Sequence, residues 1–154
     1  MSRFMEIACA SALQGITAGN GGPFGAAIVQ NGKVIATGHN RVIADHDSTA
    51  HAEIMAIRKA EQVLGTHDLS GCELYTTCYP CPMCLGAILW ARIDKVYYGC
   101  SPDDAAQIGF DDKLFYEVIA NPSANPCVTL EQEDRESCLD LFKKWMGLPN
   151  KKPY

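Results

Sequence analysis

The chain has 154 residues, long enough to bury one hydrophobic core and short for two. Hydrophobic residues make up 47% and charged residues 20% of it, the balance of an ordinary globular domain rather than a disordered or fibrous chain. Thirteen Lys and Arg against eighteen Asp and Glu leave a net charge of -5, which argues against a protein that grips a long polyanion such as nucleic acid.

In chain order, Ser2 caps a first helix, in which Met5, Cys9, Ala12 and Ile16 recur at steps of three and four residues until Gly19. Phe24–Gln30 and Lys33–Asn40 then read as two strands joined through Asn31-Gly32, a dipeptide suited to a two-residue hairpin turn. A polar loop around Ala44–Thr49 precedes a strong helix from Ala50 to Leu64, with Gly65 as its stop. Glu73–Cys78 is a short strand, Pro82 opens another helix, and Lys95–Cys100 is the next strand, so this unit implies a parallel crossover. Two short helices flank Gly109, Cys127–Leu130 is expected as a last strand, and Leu139, Phe142 and Met146 mark a final helix before a polar tail. The expected fold is a single α/β domain spanning residues 1–154. It has three layers, α/β/α, around a mixed sheet of about five strands.

The N-terminal segment carries Arg3 and small residues, but Glu6 interrupts its apolar run, so no signal peptide is read there. The longest uncharged apolar run, Cys84–Ala91, falls far below the ~20 residues of a membrane span. The eight cysteines lack a framework spread through loops. They are expected to be reduced thiols of a cytoplasmic protein, with Cys9, Cys72, Cys100, Cys127 and Cys138 as small buried residues. His39, His46 and His67 lack ligand-spaced partners and are expected to be solvated.

Three cysteines at two-residue gaps, Cys78, Cys81 and Cys84, remain. An iron–sulfur run would need a further cysteine at position 88, which is Ile. A redox pair would need nothing else, whereas His51-Ala52-Glu53 supplies a second half-site, also at a helix start. Cys81 and Cys84, three apart on a helix, share a face and can reach one ion. His51 and Glu53 lie roughly 200° apart around a helix, so they are not twin ligands. One binds the ion and the other reaches a molecule beside it. Three ligands, His51, Cys81 and Cys84, leave an open position, which is the pattern of catalytic rather than structural zinc. Cys78 would close the site as a fourth ligand; it is read instead as the end of its strand.

His-Ala-Glu followed by Pro-Cys-x-x-Cys is the signature of the zinc-dependent nucleoside and nucleobase deaminases. With "GGPFGAAIV", "NRVIADHDSTAHAEIMAIRKA", "ELYTTCYPCPMCLGAILWARI" and "GFDD", the chain resembles the bacterial guanine deaminases over nearly its whole length, terminal "NKKPY" included. Tyr79 departs from the Glu that much of the superfamily has before Pro-Cys. The resemblance implies one Zn2+ per chain that activates water, Glu53 as proton carrier, and guanine attacked at C2 to give xanthine and ammonia. It further implies that Asn40 reads the base edge, that the Ala52 N–H donates to it, and that Asp112 is a second carboxylate. Spacing alone leaves Asp111 equally eligible. Phe24 and Trp90 are implied as pocket residues, with core packing the alternative for each. The resemblance also implies a homodimer in which the C-terminal segments are exchanged and Tyr154 closes the partner's pocket. A small nucleobase is the expected ligand, and the tRNA adenosine deaminases are the nearest rival.

Overall fold

The computed structural model describes residues 2–124 and 127–154. Helix α1 (Arg3–Thr17) leads into strands β1 (Gly25–Gln30) and β2 (Lys33–His39). A single helical turn, α2 (Val42–Asp45), precedes α3 (Ala52–Leu64). Strand β3 (Cys72–Cys78), helix α4 (Pro82–Trp90) and strand β4 (Lys95–Cys100) follow as one unit. Helices α5 (Pro102–Gln107), α6 (Lys113–Ala120) and α7 (Arg135–Met146) complete the order.

The strands form one sheet in the order β2-β1-β3-β4, with β1 antiparallel to both neighbours and β3 parallel to β4. The hairpin turn is the expected one: Asn31 and Gly32 both take positive φ, 51° and 72°, which matches the right-handed twist of the flanking strands. Alternate residues of β1 and β3 face opposite layers. Ala26, Ile28, Cys72 and Leu74 pack with Ile57 of α3 and Ile88 of α4 in the main core. On the opposite face Gly25 lies so close to α1 that a Cβ there would sit 2.1 Å from the Ala8 carbonyl oxygen. Gly38 does the same for α3, whose Ala52 carbonyl would lie 2.5 Å from an added Cβ. These two glycines let the helices close onto the sheet and thereby set where the tip of α3 stands. The three layers are those expected.

The sheet has four strands among the described residues, against about five expected. Cys127–Leu130 forms no strand: Val128 and Leu130 are exposed, so pairing would bury no face there. The loop expected between β2 and α3 contains the helical turn α2. Cys72 is buried as expected, but Cys9, Cys100, Cys127 and Cys138 are exposed. His39 is half-buried rather than solvated, and the Asn20 amide lies 2.9 Å from its Nε2. Helix α7 contributes no buried residue.

Candidate active site and metal centre

His51 is the N-cap of α3 and Cys81 the N-cap of α4. Both take extended backbone conformations, and neither side chain makes a capping bond to its helix. Each is therefore free to project over its own helix tip. Pro82 occupies the first turn of α4, where its missing N–H costs nothing. Because α3 and α4 pack on the same face of the sheet, the two tips meet. The Sγ atoms of Cys81 and Cys84 lie 3.5 and 3.6 Å from His51 Nδ1. All three ligand atoms fall within 4.8 Å of one another.

This geometry fits zinc. Tetrahedral Zn–S bonds of ~2.3 Å and Zn–N bonds of ~2.0–2.1 Å hold neighbouring N and S about 3.6 Å apart. The charges fit as well. The Cys81 thiol is drawn down to about 4 by the Cys84 thiol and His51 beside it, while Cys84 is pushed up by the Cys81 thiolate and by burial. Two crowded thiol groups competing for negative charge are what a dication relieves. Cys78 stands outside the group: its Sγ points to the Ser101 carbonyl oxygen, 3.7 Å away, at the end of β3.

Glu53 is buried, one residue into α3 beyond Ala52. The Thr76 hydroxyl donates to its Oε1 at 3.2 Å and the Cys84 thiol to its Oε2 at 3.4 Å. Burial raises its pKa above the ordinary carboxylate value, toward the range useful in proton transfer near neutral pH.

His51, Glu53 and Cys81 open onto a cavity of about 700 Å³, within the size range of small-molecule sites. Phe24, Asn40, Asp111 and Asp112 also line it. The Asn40 oxygen Oδ1 accepts from the N–H groups of Gly22 (3.3 Å) and Val42 (3.1 Å), so the amide presents Nδ2, a donor, to a ligand. Asp111 Oδ1 accepts from the Lys113 N–H at 3.1 Å and is engaged in its own turn. Asp112 makes no capping bond at the start of α6, and burial followed by the Cys81 charge raises its pKa. Ala52 is fully buried, and its N–H belongs to the first turn of α3, which no carbonyl of that helix can satisfy.

Trp90 and Tyr154 do not reach this cavity within the chain. Trp90 ends α4, eight residues or roughly 12 Å beyond the N-terminal Pro82, and is 66% exposed. The Tyr154 ring packs 5.8 Å from Trp90 and 6.1 Å from His67, at the same far end. Trp90 thus occupies neither the core nor its own pocket. Sequence reasoning missed Phe110, which packs edge-on against Phe24 at 4.9 Å, together with Ile43 and Phe115 in the cavity wall. An aromatic directly before the two candidate carboxylates was the available signal for Phe110.

Three ligands from two helix tips, a buried carboxylate beside them and an open cavity in front define a zinc-dependent hydrolytic deaminase site. The chain belongs to the family of the cytidine and deoxycytidylate deaminase zinc-binding region, whose model matches residues 1–100. A guanine deaminase of Bacillus subtilis is 48% identical over 98% of this chain and 97% of its own length. The crystal structure of a Bacillus subtilis guanine deaminase matches 100% of this chain and 99% of that chain, with a TM-score of 0.94 and 47% identity. A tRNA-specific adenosine deaminase of the same organism is 47% identical, over 78% of this chain and 74% of its own.

Proposed function

We propose that this chain hydrolyses the exocyclic amine of guanine, releasing xanthine and ammonia, and that it works as a homodimer with exchanged C-terminal arms. One observation carries the reading: the similarity to guanine deaminase runs through the whole chain, arm included, whereas the similarity to tRNA deaminases covers about three quarters of it. The match to that crystallised relative likewise extends over the full chain, with a TM-score of 0.94.

His51, Cys81 and Cys84 would hold the zinc, which when bound supplies a Lewis acid that makes water nucleophilic near neutral pH. Glu53 takes a proton from that water as the oxygen bonds to C2 of guanine. It passes the proton to the ring nitrogen beside C2. A second proton, from the new hydroxyl to the amine through the same carboxylate, lets the C2–N bond break and ammonia leave, giving the C2 carbonyl of xanthine. The Thr76 hydroxyl at 3.2 Å orients Glu53 for both transfers. Asn40, with its oxygen committed to backbone N–H groups, donates from Nδ2 to an acceptor on the base edge. The Ala52 N–H is a second donor. Asp112, rather than the engaged Asp111, accepts from the guanine amine. Phe24 and Phe110 cover the ring.

The cavity is far larger than one purine and open to solvent. We assign its cover to the partner's arm, whose last residue, Tyr154, is an exposed ring that packs within its own chain on Trp90 of α4. The large apolar residues Leu141, Phe142 and Met146 of α7 are each at least 60% exposed, and such a stripe marks a contact surface. Residues 1–154 act as one deaminase domain in this reading. No described helix is long and apolar enough to cross a membrane. Eight unpaired thiols suit the reducing cytoplasm, where we place the enzyme.

Ammonia release from guanine, guanosine, adenine, cytosine and a tRNA anticodon arm, with and without chelator, tests the proposal. Guanine is expected to be the best substrate, with turnover lost on chelation. A tRNA arm turned over efficiently while guanine stays inert would overturn it.

A further inference from the structure

The segment between α5 and α6 brings Phe110 and Asp112 to the cavity, where the Phe110 ring packs on Phe24 but few polar contacts hold it. Gly109 bends it at φ 95°, and α6 has no buried residue. Lys113 pairs with Asp103, but that bond joins α6 only to α5, within the same segment. Among the described residues, one side-chain hydrogen bond crosses from this lid to the zinc side of the site. The Tyr116 hydroxyl donates to the Pro80 carbonyl oxygen at 2.7 Å.

Both ends of that bond are well placed. Pro80 is fully buried and directly precedes Cys81. Its other neighbour, Tyr79, is fixed to β4 through its N–H, which donates to the Cys100 carbonyl at 2.9 Å. The acceptor thus belongs to an anchored loop. Asp112 is the N-cap of α6 and Tyr116 lies about one helical turn further on, so a bond that fixes Tyr116 fixes the turn on which Asp112 stands. The ring of Tyr79, which also stacks edge-on against Tyr98 at 5.0 Å, lies 6.4 Å from the Tyr116 ring and forms the floor on which α6 rests. The tyrosine that replaces the family's usual Glu therefore helps to seat the lid.

We propose that Tyr116 is a positioning residue: its hydroxyl latches α6 to the zinc-ligand loop and so holds Asp112 over the substrate. This rests on the role given to Asp112 above. A latch of this kind acts on geometry, and small displacements of a substrate-contacting group cost up to about a hundredfold in rate.

A double-mutant cycle on guanine kinetics with the zinc-loaded dimer tests it. Tyr116→Phe keeps the ring and removes one oxygen. It is expected to retain one zinc per chain and to lower kcat/KM by roughly ten- to a hundredfold. In an Asp112→Asn background the same change is expected to alter kcat/KM by less than about twofold, because the group it positions has gone. Amide hydrogen exchange supplies a second readout: Phe110–Tyr116 should exchange faster in Tyr116→Phe while the helix tips of α3 and α4 stay protected. The latch is overturned if Tyr116→Phe matches the parent, if it loses zinc, if its exchange is unchanged, or if its full effect persists beside a deficient Asp112→Asn. An Asp112→Asn enzyme as active as the parent would instead remove the carboxylate's role, and the latch with it.

Discussion

The zinc-ligand helix and the C-terminal helix stand in opposite relation to water. Six of the thirteen residues of α3 are buried, including Glu53 itself, while none of the twelve in α7 is. Both are amphipathic at helical spacing, so the difference lies in what each meets. The apolar side of α3 meets the sheet of its own chain, where fully burying an Ile contributes about 1.5–3 kcal/mol. That of α7 buries no residue within the chain: Leu139 is half-buried and Phe142 remains 67% exposed. One half of the molecule is complete in a single chain. The other leaves its apolar residues uncovered within the chain, as the proposed exchange of arms requires, and this sets how substitutions in each half should behave.

The largest effect is expected in the complete half. Glu53→Gln removes the proton carrier but no ligand, so each subunit should keep its zinc and lose about a thousandfold or more in kcat. Metal analysis and single-turnover kinetics check both parts. Retention of most activity would sink the mechanism. The pH profile sharpens the point. Glu53 works as a base only when ionised, and burial raises its pKa, so activity should fall as pH drops through a value above that of an ordinary glutamate. A limb at the ordinary carboxylate value would mean that the buried group does not control turnover.

Deleting Lys151–Tyr154 tests the other half. The four residues are exposed, and Tyr154 rests only on the exposed rings of Trp90 and His67, so folding and zinc content should be unchanged. Guanine turnover should fall roughly ten- to a hundredfold, since an open pocket admits water and holds the base loosely. Co-refolding this deletion with Glu53→Gln chains should restore partial activity, because one subunit then supplies an intact arm and the other an intact Glu53. A deletion at full rate removes the tail from the site, and no recovery on mixing means that each chain covers its own pocket.

The same division explains what was legible in the sequence. His51, Glu53, Cys81 and Cys84 lie in two short motifs at helix starts, and local rules of capping and spacing bring them together once the helices share a sheet face. Asn31-Gly32 and Gly65 likewise declare their turn and stop within a few residues. Cys127–Leu130 resembled a strand by composition, but strand formation depends on a neighbour that periodicity does not report. Trp90 looked like core or pocket because an apolar helix predicts burial, yet it is the last residue of α4 and is exposed. The cysteines misled for a related reason: their usual burial is a statistical tendency, and Cys100 sits on an edge strand. Asp111 and Asp112 differ through a contact that spacing does not report, the Lys113 N–H that engages the first.

The smallest effect is expected at Cys78, the third cysteine of the run. It is buried on the last residue of β3, in register with Cys100, and burial pushes its thiol up to about 11. It is not among the three residues, His51, Cys81 and Cys84, whose ligand atoms lie within 4.8 Å of one another. Its Sγ already faces the Ser101 carbonyl, a partner that a serine hydroxyl can also serve. Cys78→Ser should therefore keep one zinc per chain, cost about 1 kcal/mol of stability or less, and change kcat/KM only a few-fold. Cys81→Ser, by contrast, should lose the metal. Metal content after dialysis against a weak chelator separates the two variants. Equal loss of zinc would make Cys78 a fourth ligand, close the coordination sphere, and leave no position for the water on which hydrolysis depends.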